Sequence, residues 1–171
     1  SISMLDGRHA ENPWLQELSD PISKVAWGNT ASLSPAAAKS LGVKDGDVLR
    51  VVGGGGATME LPARVQPGLH DRVISVALGY GRVGTDRFSG IGPRWLEARA
   101  TVEKGRGVGV DASPFLAFAR GAAVHAGVEV SVQVTGRRED LALSQTYDSL
   151  TLPARTAPHG AEKREAVRET T

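Results

Sequence analysis

Residues 33–52, LSPAAAKSLGVKDGDVLRVV, lead a short helix through a tight turn into a β-strand, and this unit restricts the fold more than any other stretch. Ser34 is placed to cap the helix, and Pro35 suits its first position, where the missing N–H has no intrahelical partner. Gly42 can adopt the left-handed conformation that closes the helix. In the following Lys44-Asp45-Gly46-Asp47 turn, Gly46 tolerates positive φ, and Val48, Val51 and Val52 supply β-branched residues to the strand beyond. Asp45 and Asp47 lack the further ligands of a calcium loop. They read as turn residues, with Asp47 accepting backbone hydrogen bonds.

Residues 1–22 read as an N-terminal arm. Asn12-Pro13 and Asp20-Pro21 favour extended or turn geometry there, and Trp14, Leu15 and Leu18 are the expected anchors. A first strand is expected over Lys24–Leu33, with Val25, Trp27 and Asn29 on one face and Ala26 and Thr30 on the other. Gly53–Gly56 is the tip of a hairpin whose second strand, Thr58–Gln66, alternates Met59, Leu61, Ala63 and Val65 with polar or proline positions. The four glycines lack the Gly-Lys-Ser/Thr ending of a phosphate loop, and no helix follows them.

Pro67-Gly68 turns the chain into Val73–Leu78, a nearly continuous apolar run expected to be a strand buried on both sides, ending in Gly79-Tyr80-Gly81-Arg82. A long loop over 81–109, rich in Gly, Arg and Pro, carries a short helix candidate at Trp95–Ala100 and is the expected functional loop. Its arginines 82, 87, 94, 99 and 106 make it locally positive and suited to an anion or an acidic partner. Gly127–Thr135 alternates Val128, Val130, Val132 and Val134 with polar residues, the pattern of a half-buried strand, and Leu141–Gln145 is expected to pair nearby. The folded body thus spans 23–152. Residues 153–171, without apolar periodicity, read as a disordered linker.

Composition narrows the function. A net charge of +1, three Phe and two Tyr give neither a basic field nor a stacking platform, which argues against nucleic acid. No cysteine is present, so disulfides and thiolate ligands for zinc or an iron–sulfur cluster are excluded within the sequence. His9, His70, His125 and His159 are not at metal-ligand spacing, and no Gly-x-Ser-x-Gly elbow marks an activated serine. Trp14 and Trp27 sit among apolar neighbours, whereas Trp95 keeps the option of stacking on a ligand. No run approaches the ~20 apolar residues of a membrane helix. The absence of an initiator Met and of a leader is read as a segment of a longer protein.

The segments NPWLQELSDPISKVAWGN, LSPAAAKSLGVKDGD, ARVQPGLHDRVISVALGYGR and GVGVDASP, in this order, resemble the molybdopterin oxidoreductase superfamily. Trp14-Leu15-Gln16-Glu17, Asp20-Pro21 and the stretch from Lys24 to Trp27 are similar to the large iron–sulfur subunit of alternative complex III, a bacterial quinol-oxidising membrane complex. The resemblance covers 11–114, with an echo at 141–145 and 163–169. It implies a mainly β fold with short helices, a double-psi β-barrel like that of molybdopterin-dinucleotide-binding and aspartate-decarboxylase-like domains, with iron–sulfur clusters elsewhere in the parent chain.

In cofactor-loaded members of the superfamily, loops at one end of this barrel clamp the guanine dinucleotide of the pterin. The resemblance places Gly79, Tyr80, Gly81 and Arg82 on such a loop and Asp111 where an Asn is common. Ionised Asp only accepts hydrogen bonds, and its charge opposes a pyrophosphate. Two functions stay open. One is a structural and assembly domain of a large redox subunit, with no cofactor in this segment. The alternative is a working molybdopterin-guanine-dinucleotide domain of a molybdenum or tungsten oxidoreductase. The implied partners are other domains of the parent chain and subunits of the membrane complex, without direct insertion into the membrane. The implied location is the periplasmic face of a bacterial inner membrane.

Overall fold

A computed structural model describes residues 1–84 and 105–144. The arm begins with a succession of turns and reaches helix α1, Pro13–Glu17. Short strands β1, Val25–Ala26, and β2, Ala31–Leu33, precede helix α2, Pro35–Leu41. Then come β3, Asp47–Gly53, β4, Thr58–Val65, and β5, Ser75–Val76. After a 3-10 turn at Ser113–Phe115, β6, Ala117–Ala119, and β7, Ala122–Val124, form a hairpin. The described residues end with β8, Val130–Arg138, and β9, Ala142–Leu143. The class is mainly β with short helices.

The main sheet has the order β5-β2-β4-β3-β8, and among the described residues no ladder joins its two ends. β3 pairs antiparallel with β4 and β8, while β2 runs parallel to β4 in the register Ala31 to Ala63 and Leu33 to Val65. Two parallel strands need a crossover, and here α2 and β3 supply it. Pro62, which has no N–H to donate, lies one residue before the β2 ladder begins at Ala63.

α2 forms as its ends dictate. Ser34 Oγ accepts from the Ala37 amide at 3.0 Å, Pro35 opens the helix, and Gly42 closes it at φ 67°. The Ser34 hydroxyl also donates to Asp71 at 2.6 Å. In β4, Met59, Leu61 and Ala63 are buried and Glu60 and Pro62 are not, matching the alternation in the sequence. They meet Leu33, Ala38, Leu49 and Val51 in the main core. Leu49 and Leu61, fully buried, each contribute about 2–3 kcal/mol of apolar transfer.

Four expectations are corrected. The strand expected over Lys24–Leu33 is broken, because Trp27 and Gly28 take φ values of 51° and 142° and divide it into β1 and β2. Pro13 starts α1 rather than preventing it: Asn12 Oδ1 accepts from the Trp14 and Leu15 amides, and proline costs nothing at the first helical position. Trp14 and Leu18 are exposed, Trp14 by 83%, so of the expected anchors only Leu15 packs inward, and Met4, Ala10 and Gln16 are buried beside it in the arm. In the run Val73–Leu78, only Ser75 and Val76 pair as a strand, and Val73 is exposed.

β8 forms close to the expected place, but it is far less buried than its alternation suggests. Val130, Val132 and Val134 lie opposite Gly53, Val51 and Leu49, yet Val134 remains 46% exposed. Within the 141–145 stretch, β9 forms and pairs antiparallel with β1. The expected helix at Trp95–Ala100, Arg87, Arg94, Arg99, His159 and the 153–171 linker lie outside the described residues.

Candidate functional site

The chain brings the turn 79–82 and the segment 107–111 into backbone contact, and glycine makes the approach possible. A Cβ on Gly81, at φ 80°, would overlap the Asp111 amide nitrogen and come within 2.6 Å of the Val110 carbonyl carbon. One on Gly107 would lie 2.7 Å from the Gly81 carbonyl carbon. The Gly81 amide donates to the Val108 carbonyl at 2.8 Å, which fixes the two segments in register.

Asn29 holds the same place from below. Its side-chain amide donates to the carbonyls of Ala77 and Val110 at 2.8 and 2.9 Å, and its Oδ1 accepts from the Val110 amide at 2.9 Å. Gly109, at φ 69°, leaves room for that side chain: a Cβ there would come 2.7 Å from Asn29 Oδ1. Asn29 is buried, so all three bonds replace water that these groups have lost.

The N-terminal arm covers the other side of the turn. A Cβ on Gly79, at φ 94°, would lie 2.7 Å from the Leu5 carbonyl oxygen and 2.9 Å from the Gly7 nitrogen. Met4, fully buried, packs with Tyr80 and Val108 in a second cluster, with Leu15, Trp27 and Ala77 against it. Arg82 Nη1 donates to the Gly7 carbonyl at 3.4 Å.

Of the residues singled out in the sequence, Gly81 and Asp111 therefore meet, while Gly79 faces the arm. The side chain of Tyr80 turns into the small core, and Arg82 reaches across to the arm. Asp111 is exposed, and both its oxygens serve Ser113: Oδ1 accepts from the amide at 2.8 Å and Oδ2 from the hydroxyl at 2.9 Å, which fixes the start of the 3-10 turn. Sequence reasoning missed the part played by Asn29, Gly107, Gly109 and Met4. Only the dense glycines of GVGVDASP hinted at a close approach.

The turn at 44–47 is structural. Asp45 accepts from the Val65 amide at 2.5 Å and pairs with Arg64, and Asp47 Oδ2 accepts from the Lys44 amide at 2.8 Å. Among the described residues no three His, Cys, Asp or Glu are grouped to hold a metal ion, and His70 and His125 are exposed. No helix among them is long and apolar enough to cross a membrane. No family model matches the chain, and no curated protein matches it.

Proposed function

We propose that the chain is the C-terminal dinucleotide-binding-like domain of a large redox subunit, folded as a double-psi β-barrel, with a structural and assembly role in a quinol-oxidising electron-transfer complex. The barrel reading is supported by the parallel β2–β4 pair with α2 and β3 between its strands. The placement at the periplasmic face of a bacterial inner membrane, and the partners in the parent chain and the membrane complex, follow from the sequence resemblance.

The observation that carries the functional half is the filling of both sides of the Gly79–Arg82 turn by the chain's own backbone, from the arm and from 107–111. The residues present do not fit a dinucleotide pyrophosphate. The Gly81 amide is committed to Val108, the face of Gly79 is occupied by Leu5 and Gly7, and Asp111, next to Gly81 and bonded to Ser113, adds a negative charge that opposes a phosphate. In this reading the domain makes no bond and holds no pterin.

The test is elemental and pterin analysis of the full-length parent purified from its own host. Iron without molybdenum, tungsten or pterin is the expected result. Near-stoichiometric molybdenum or tungsten with pterin overturns the proposal and makes Gly79, Tyr80, Gly81, Arg82 and Asp111 contacts of a working cofactor.

A further inference from the structure

The cluster of Met4, Tyr80 and Val108 is separate from the main core of β2, α2, β3 and β4. It is built from three pieces: the arm, the glycine turn and the 107–109 segment. The arm's first ten residues contain no helix or strand, and they are held by this cluster together with the bonds to Gly7 and Ala10 and a 3.3 Å bond from the Ser1 ammonium to the Leu78 carbonyl. Gly7 and Gly79 face each other so closely that a Cβ on Gly7 would lie 3.5 Å from the Gly79 carbonyl oxygen.

We propose that residues 1–10 are a plug: the arm occupies the Gly79–Arg82 turn where a ligand would otherwise sit, and it opens as one unit, separately from the main core. The proposal deepens the reading of this turn as a former cofactor loop and rests on it for its meaning. Small units with their own apolar contacts open at lower free energy than the core beside them. Seating the plug requires glycine at 79, since a Cβ there would press within 3 Å of Leu5, Gly7 and Met4 atoms at once.

The arm carries its own reporter. Arg8 has an exposed side chain, so trypsin can cut after it once the backbone is released. Cleavage there is followed in the 171-residue chain, together with hydrogen exchange of the Leu49, Val51 and Leu61 amides. Gly79→Ala is expected to be cut about tenfold faster or more than the wild type, because cleavage tracks the open population. Core exchange should stay within about twofold.

Met4→Ala removes the anchor without a backbone clash and is expected to act in the same way, which covers the case in which the glycine variant fails to fold. Gly84→Ala, at a glycine of similar φ (90°) with nothing among the described residues within 4 Å, carries the same conformational strain without the clash and should be cut at the wild-type rate. Cleavage at the wild-type rate in both Gly79→Ala and Met4→Ala overturns the plug. So does core exchange that rises in step with cleavage, because arm and core would then be one unit. Neither result bears on the metal and pterin content of the parent, so a failed plug and a failed functional reading are told apart.

Discussion

Asn29 and Val110 hydrogen-bond each other in both directions, the Asn29 amide donating to the Val110 carbonyl and accepting from the Val110 N–H, each at 2.9 Å. One side chain thus does what a strand neighbour would do, and its second N–H ties in Ala77. Asn29→Asp keeps the acceptor but turns a buried carboxylate towards two carbonyls. It is expected to cost about 3 kcal/mol or more and to exceed Asn29→Ala, since an unpaired buried charge is worse than an unmet hydrogen bond. Urea unfolding of both variants checks the order. A smaller loss for Asp would show that the donor half of the amide does not hold the loops.

Gly46 shows how closely the turn before β3 is fitted. Its φ is 86°, and a Cβ would come 2.5 Å from the Glu139 carbonyl oxygen, while its own carbonyl accepts from the Glu139 amide at 2.8 Å. Gly56 has a similar φ of 82° with open space around it. Gly46→Ala should therefore cost about 2–4 kcal/mol through strain and displaced backbone, and Gly56→Ala about 1 kcal/mol from conformation alone. Equal shifts in thermal unfolding would mean that the 139 segment yields freely.

These residues also mark what the sequence makes legible. The ends of α2 and the inward row of β4 follow from local rules, because Ser34, Pro35 and Gly42 act through neighbours a few positions away and the period of a strand is two. The glycine turn and GVGVDASP could be flagged as loops. Their contact with each other is held both by the direct Gly81–Val108 bond and by Asn29, which lies 48 residues from Ala77 and 81 from Val110. No local pattern carries such a pairing. The break at Trp27 is the same kind of case: a bulky residue at φ 51° runs against its own propensity and is held by the Trp27 amide bond to the Gln16 carbonyl at 3.0 Å and by packing on the Met4 cluster. Val130 and Val134 mislead for another reason, since alternation reports which face is apolar and not whether anything covers it.

Asp20 makes the fold acid-sensitive in a predictable sense. Partial burial pushes its carboxyl up, but hydrogen bonds from the amides of Ser23 and Ile22 and from the Ser23 hydroxyl outweigh this and hold it below the ordinary value. A carboxyl with a depressed folded-state pKa contributes stability above its unfolded value of about 3.9, and loses it as pH falls through the folded-state value. In Asp20→Ala the decline in stability on acidification should be shallower than in the wild type, as read from urea midpoints taken down through the acid range. Parallel curves would show that the turn at 20–24 is not coupled to unfolding.

On the proposed reading, Asp111 tests whether charge or shape would keep a nucleotide out. Asp111→Asn introduces the residue that the sequence resemblance would lead one to expect there, removes a negative charge, and keeps an acceptor for the Ser113 amide while weakening the bond to its hydroxyl. The stability cost should be under about 1 kcal/mol. Guanosine diphosphate should still bind more weakly than about 1 mM by calorimetry. The reason is that the Gly81 amide remains bonded to Val108 and the arm remains against Gly79, and neither depends on the charge at 111. Micromolar binding by the variant would show that a single carboxylate closes the site and that the backbone around it is still shaped for the dinucleotide.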